Sequence, residues 1–158
     1  MSSTVKNTSF NEIQKRFLRS LSVNSVKYLV VGGYAVGFHG HPRLTRDLDI
    51  WVGTDADNAE AMLGALNHYG IPYMFKETFM TPNNVVQLGE PPDRIDILTS
   101  VSGVMFQEAY THKKMLLVND LEVNFIDFER LIKTKTGTGR ARDAGDIEDL
   151  QRKNDETS

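Results

Sequence analysis

The 158-residue sequence contains no cysteine, which excludes disulfide frameworks, thiolate zinc sites and cysteine nucleophiles. It also lacks any run close to the roughly 20 apolar residues that span a bilayer. The opening segment, MSSTVKNTSF, lacks the apolar stretch of a secretory signal. We therefore expect a cytoplasmic protein with no membrane partner. A formal net charge of −3 argues against strong non-specific binding of nucleic acid.

Two common phosphate-binding motifs are missing as well. The absence of GxxxxGK[ST] excludes a P-loop, and the absence of GxGxxG leaves a Rossmann dinucleotide site without support. What is present is an ordinary globular composition, with 40% apolar and 25% charged residues. A chain of this length can form one hydrophobic core of ordinary size. We predict a single domain over residues 9–151, with flexible tails at 1–8 and 152–158.

Hydrophobic periodicity predicts an α+β (α/β) domain, a mixed sheet flanked by helices and followed by C-terminal helices. The predicted strands are KYLVVGG, RDLDIWV, NVVQLG and DRIDILTS, with a hairpin MLLV-ND-LEVNFI. The predicted helices begin at Ser9 (a capping box with Glu12), within YAVGFHG, at about 55 after a Thr54 cap, within GVMFQEAYTH, after Asp127 and at about Asp143.

Asp47 and Asp49 form an Asp-x-Asp pair on the strand RDLDIWV. Side chains two apart on a strand share a face, with their Cα atoms roughly 6–7 Å apart. Two anions on one face repel, and a divalent cation such as Mg²⁺ would make the arrangement favourable. The alternative is a solvent-facing pair close to Arg43 and Arg46.

Asp96 is a third carboxylate, in the otherwise apolar strand RIDIL. An aspartate in such a strand needs a partner, because an unpaired buried charge is very costly. Arg94 lies on the same strand face and is the simple structural partner. If this strand pairs beside Asp47 and Asp49, the three carboxylates converge into a cluster that suits two metals in phosphoryl or nucleotidyl transfer.

Gly32 and Gly33 end a buried strand and open a short helix. Small residues at such a position let backbone N–H groups approach a phosphate. A glycine pair after a strand is also a common turn, so this feature gains meaning only beside the carboxylates.

Together, VVGGYAVGFHGHPRLTRDLDIWV and RIDIL resemble the nucleotidyltransferase superfamily, whose fold is the DNA polymerase β catalytic core. The family pattern is a strand, Gly-Gly or Gly-Ser, a short helix, Asp-x-Asp and a third acidic residue on a later strand. The Arg-x-Thr-x-Asp-x-Asp version, with Arg43 and Thr45, is similar to small bacterial nucleotidyltransferases related to AbiEii-type toxins. Their closing helical segment resembles LIKTKTGTGRARDAGDIEDL, which contains Lys135 and Arg140.

The resemblance implies a role for each matched residue. Asp47, Asp49 and Asp96 would be the catalytic residues and would hold two Mg²⁺ or Mn²⁺ ions, with Asp96 also acting as the base. Residues implied to bind the nucleotide are Gly32, Gly33, Arg43, Lys135 and Arg140. The implied enzyme is a nucleotidyltransferase that moves NMP from an NTP to a hydroxyl of RNA (such as a tRNA 3′ end), a protein or a small molecule.

The same resemblance suggests a toxin–antitoxin or defence module, with a cognate antitoxin as partner. A catalytically inactive nucleotide-binding or protein/RNA-interaction module with the same fold is the alternative. A basic patch over residues 133–142 also makes RNA binding a further hypothesis.

Several side chains have two possible interpretations at this point. Arg43 could reach a phosphate or pair with the nearby aspartates, and Lys135 and Arg140 could be ordinary solvated charges. His39 and His41 have a His-x-His spacing, but the edge of a nucleotide cleft explains them better than zinc. Other residues with two interpretations are Tyr34 and Trp51 (base stacking or core packing) and Thr45 (a phosphate loop or a local hydrogen bond).

Overall fold

The computed structural model of the chain describes residues 10–40, 47–91 and 93–136. The described helices are α1 Glu12–Val23, α2 Gly32–Phe38, α3 Ala56–Tyr69, α4 Phe106–Thr111 and α5 Phe128–Thr136, with a 3₁₀ helix at Lys76–Phe79. The described strands are β1 Tyr28–Val31, β2 Leu48–Val52, β3 Val85–Leu88, β4 Ile95–Leu98, β5 Lys114–Val118 and β6 Leu121–Phe125. The predicted tails and the predicted helix from Asp143 lie outside these ranges.

The six described strands form one mixed sheet in the order β3-β4-β2-β1-β6-β5. β2 runs parallel to β4, and β1 runs parallel to β6. The other neighbours, β1 with β2, β3 with β4 and β5 with β6, are antiparallel. This arrangement confirms the prediction of a mixed sheet with helices.

The central strands follow the sequence pattern. Every residue of β1 is buried, as four consecutive apolar residues predict. On β2 the side chains of Leu48, Ile50 and Val52 are fully buried in the core. The intervening positions therefore point to the opposite face, where Trp51 packs edge-to-face against Phe106 of α4 at 5.1 Å between ring centroids. This face of β2 is thus acidic at one end and covered by α4 at the other.

The β5–β6 hairpin closes through Asn119 and Asp120, with φ of 47° and 69°. Both angles lie in the left-handed region, which Asn and Asp tolerate better than most residues. The two-residue turn predicted from the sequence is confirmed. α5 follows directly after Asp127, whose carboxylate accepts a hydrogen bond from Arg130 at 2.9 Å.

Two predicted helix caps were wrong by one or two residues. α1 is capped by Asn11, because its side chain accepts from the Gln14 N–H at 2.8 Å and Gln14 Oε1 accepts from the Asn11 N–H at 3.0 Å. That reciprocal pair replaces the capping box predicted for Ser9. α3 is capped by Asp55, whose side chain accepts from the Asn58 N–H, and not by Thr54. Gly70 ends α3 in the left-handed conformation, as predicted.

The described helices are short or amphipathic. Among them, none has the combination of length and apolar character that a membrane-spanning segment needs.

Candidate active site

Asp49 and Asp96 are direct neighbours across the parallel strands β2 and β4. On its other side Asp49 is in register with Val31, the last residue of β1. Asp47, two residues before Asp49, lies on the same face of the sheet. The sheet therefore brings the three predicted carboxylates to one place, although Asp49 and Asp96 are far apart in the chain.

Gly32 lies directly against the carboxylate of Asp49. Its φ of +68° belongs to the left-handed region, and a Cβ at this position would overlap Asp49 Oδ2. Gly32 also opens α2, whose N-terminus has no side-chain cap. Because glycine has no Cβ, it lets the start of α2 approach the acidic residue closely.

Arg94 connects the two outer carboxylates. Its Nη2 donates to Asp47 Oδ2 at 3.2 Å and to Asp96 Oδ2 at 3.3 Å. Its Nε lies 3.1 Å from Asp96 Oδ1, but these two buried atoms are not aligned for a hydrogen bond. Arg94 is thus the structural partner of Asp96 that the sequence suggested, and it pairs with Asp47 as well.

The surroundings of Asp49 change its pKa. Burial, and next the negative charges of Asp96 and Asp47, raise the pKa of Asp49 from 3.8 to about 7, while Arg94 opposes the shift. A carboxylate with this pKa is close to half protonated at neutral pH. A cation beside Asp49 would favour its charged form.

The donor chemistry of this face fits a hard divalent cation, since three carboxylates supply oxygen ligands. In the arrangement described, with Arg94 bonded to two of them, no three acidic or histidine side chains of residues 10–40, 47–91 and 93–136 are grouped closely enough to hold one ion. The two-metal site stays a prediction.

A pocket of about 210 Å³ opens beside Asp49 and Gly32. Its other walls are the end of β4 with the loop after it, and the last turns of α5. The lining residues from these walls are Leu98, Ser100, Val101, Ser102, Leu131, Thr134 and Lys135. Gly103 lets the loop pack closely against α5, because a Cβ at this position would lie only 3.2 Å from the Lys133 carbonyl oxygen.

The pocket brings Lys135 to the same cavity as Asp49 and Gly32, three residues that the sequence assigned to one site. Gly33 lies next to Gly32 in α2. Ser100 and Ser102 were missed, because hydroxyls in an irregular loop have no periodicity or motif that would mark them. Arg43 and Arg140 lie outside the described residues, as does most of the basic patch over residues 133–142.

The histidine and aromatic candidates have structural roles where they are described. A ring nitrogen of His39 donates to the Ile126 carbonyl at 2.8 Å and ties the end of α2 to the end of β6. Burial lowers the pKa of His39, which favours the neutral ring. His41 and Thr45 lie outside the described residues. Trp51 and Tyr34 are both buried core residues.

Comparisons with known proteins agree with the fold. No protein-family model matches the chain, and no curated protein matches it. A crystal structure of a Thermotoga maritima protein described as a "putative nucleotidyltransferase" matches with a TM-score of 0.56 and 12% identity, over 92% of this chain and 96% of that chain. At that identity the match shows the fold alone. The chain has a mixed α/β, nucleotidyltransferase-like fold.

Proposed function

We propose that the protein is a metal-dependent nucleotidyltransferase that transfers NMP from an NTP to an acceptor hydroxyl. The observation that carries this proposal is the pairing of Asp49 with Asp96 across β2 and β4, beside a pocket that Asp49, Gly32 and Lys135 line. The nucleotidyltransferase-like fold supports the general class. The sequence resemblance supports the assignment of roles within it.

In the proposed reaction, the acceptor oxygen forms a bond to the α-phosphorus of the NTP. The bond between that phosphorus and the oxygen bridging to the β-phosphate breaks, and pyrophosphate leaves. Asp96 takes the proton of the acceptor hydroxyl. Divalent ions held by Asp47, Asp49 and Asp96 would neutralise the phosphate oxygens and favour in-line attack.

The pocket supplies the binding interactions in this proposal. The backbone at Gly32 and Gly33 approaches the triphosphate, since no Cβ of Gly32 blocks the space beside Asp49. Lys135 contributes a positive charge from the opposite wall. Arg43 and Arg140 are proposed to bind phosphate from the sequence resemblance only.

The acceptor and the biological setting are also proposals from that resemblance. RNA, a protein side chain and a small molecule are the candidate acceptors, and a toxin–antitoxin or defence module is the candidate setting. The similarity to small AbiEii-related enzymes carries this part of the proposal.

Label transfer tests the proposed reaction. The protein is incubated with NTPs labelled at the α-phosphate, Mg²⁺ and either RNA or cell extract. Wild type should transfer label, whereas Asp47→Ala and Asp49→Ala should lose it. Asp57→Asn is a matched control, because Asp57 is an exposed aspartate on α3. The proposal would be contradicted if wild type transferred no label, or if the Asp47 and Asp49 variants transferred as much label as wild type.

An inactive nucleotide-binding module is the second candidate, and one observation favours it. Arg94 already neutralises part of the acidic cluster without a metal. This candidate predicts calorimetric NTP binding without any Mg²⁺-dependent product. Product formation that requires Mg²⁺ would exclude it.

A further inference from the structure

Arg94 contributes a positive charge to the acidic cluster formed by Asp47, Asp49 and Asp96. Its guanidinium contacts Asp47 and Asp96, two of the three carboxylates that converge on one face of β2 and β4. The third carboxylate, Asp49, lies against Gly32, lines the pocket and is hydrogen-bonded to Asp96. One positive charge is therefore shared between the two outer members of a cluster of three negative charges.

Hydrogen bonds fix the backbone of Arg94 in the sheet, while its side chain is partly exposed. The Arg94 carbonyl accepts from the Leu48 N–H at 3.1 Å, which joins the residue before β4 to β2. The preceding Asp93 accepts from the Asn11 side chain at 2.9 Å. The Arg94 side chain, in contrast, is 29% exposed. Rotation of the side chain would leave this backbone hydrogen bond, and so the register of the sheet, intact.

The hydrogen bonds of the guanidinium also differ from the ideal bidentate geometry. A bidentate arginine–carboxylate pair uses two parallel N–H···O bonds to one carboxylate. Here Nη2 is shared between two carboxylates at 3.2 and 3.3 Å, and Nε has no aligned acceptor. A cation held in this way neutralises the cluster, yet a stronger cation can displace it.

We propose that Arg94 is an internal counter-ion that holds Asp47 and Asp96 together in the metal-free protein and competes with divalent cations for them. Binding of a divalent cation then requires the guanidinium to leave Asp96, Asp47 or both. Arg94 acts through the carboxylates and is a positioning residue. This inference rests on the proposed function, because it assumes that these carboxylates hold a divalent cation.

Mn²⁺ binding to the full chain tests the competition, measured by calorimetry or by the loss of the free Mn²⁺ signal in electron paramagnetic resonance. Arg94→Gln removes the competing charge, so Mn²⁺ should bind about tenfold tighter than to wild type. Arg94→Lys keeps one charge but cannot span both carboxylates in the same way, so its gain should be smaller. Asp49→Asn identifies the site, because it should abolish Mn²⁺ binding there.

Arg130→Gln is the matched control. Arg130 also bridges carboxylates, those of Asp127 at 2.9 Å and Glu108 at 3.3 Å, but it lies on α5 away from the acidic cluster. Its removal should leave Mn²⁺ affinity unchanged. A second readout is thermal unfolding, in which saturating Mn²⁺ should raise the melting temperature of Arg94→Gln by more than that of wild type.

Three outcomes separate the possibilities. Tighter Mn²⁺ binding in Arg94→Gln, with no change in Arg130→Gln, supports the inference. Equal or weaker binding in Arg94→Gln, where wild type binds in an Asp49-dependent way, overturns the inference and leaves the proposed function standing. No Asp49-dependent binding by either protein overturns both. If Arg94→Gln does not fold, Arg94→Met decides, since that variant also removes the charge and equal or weaker binding by it contradicts competition.

Discussion

Asp49 and Asp96 face each other in register across the parallel strands β2 and β4. Asp96 is buried in the sheet, and the Asp49 carboxylate is covered on its other side by Gly32. Two carboxylates in this position repel each other, and the raised pKa of Asp49 follows first from burial and next from that repulsion. A pair that destabilises its own charged form is typical of a site that binds a cation or a proton.

Gly32→Ala should impair nucleotide binding more than it impairs folding. The left-handed φ of +68° disfavours alanine by about 1–2 kcal/mol, and the added Cβ also overlaps the Asp49 carboxylate. The affinity for NTP, measured by calorimetry, should therefore fall sharply.

Gly70→Ala separates backbone strain from the contact with Asp49. Gly70 has a φ of +114°, and a methyl group added there would meet no atom within 4 Å, so only the backbone penalty applies. Gly70→Ala should lose a comparable amount of stability and keep its NTP affinity. Equal losses of affinity in the two variants would argue that Gly32 matters for folding alone.

Asp49 should make the metal-free protein less stable as the pH rises toward neutrality. The pKa of Asp49 is 3.8 in the unfolded chain and about 7 in the folded protein. Between these values the folded state binds a proton that the unfolded state lacks, so the stability that this proton contributes is present at low pH and is lost as pH rises through about 7.

Asp49→Asn removes this titration and gives the comparison. In the presence of EDTA, the melting temperature of Asp49→Asn minus that of wild type should grow from about pH 4 to about pH 7 and then level off, because only between these values does the folded-state carboxyl hold a proton that the unfolded chain has lost. The contribution of His39, whose pKa is lowered by burial, cancels in the difference. A difference for Asp49→Asn that stays constant with pH would show that the pKa of Asp49 is not raised.

Lys135→Gln should weaken NTP binding more than NMP binding, because the proposed contact is with the outer phosphates. Loss of one charge-assisted contact corresponds to about tenfold in affinity. Lys133→Gln is the control, since Lys133 lies two residues earlier on α5, is exposed and sits 3.9 Å from Glu108. If both variants bind NTP equally well, or if NMP and NTP are affected alike, Lys135 does not contact the outer phosphates.

Much of the fold follows from local sequence signals. The buried run before Gly32, the alternation along β2 and the Asn119–Asp120 turn each determine their own element. The predicted positions of the α1 and α3 caps were wrong. Asn11 and Asp55, one or two residues after Ser9 and Thr54, supply the capping oxygen atoms. Such choices depend on which side chain reaches the free N–H groups in three dimensions.

The candidate site shows a similar division. Asp96 could be singled out because an aspartate inside an apolar strand is costly, and Arg94 could be named as its partner from their shared face. The contact between Arg94 and Asp47 depends on the register of β2 against β4, which neither strand encodes alone. Ser100 and Ser102 reach the pocket through the path of a loop, for which the sequence carries no pattern.

We propose that the acidic cluster of Asp47, Asp49 and Asp96 is a nucleotidyl-transfer centre. The most direct test is X-ray diffraction from crystals grown with Mn²⁺ and a non-hydrolysable NTP analogue. An anomalous difference map locates manganese without assumptions about its ligands. We predict manganese at the carboxylates of Asp49 and Asp96, with the triphosphate between Gly32 and Lys135. Manganese or triphosphate bound elsewhere, with Arg94 still joined to Asp47 and Asp96, would contradict the account.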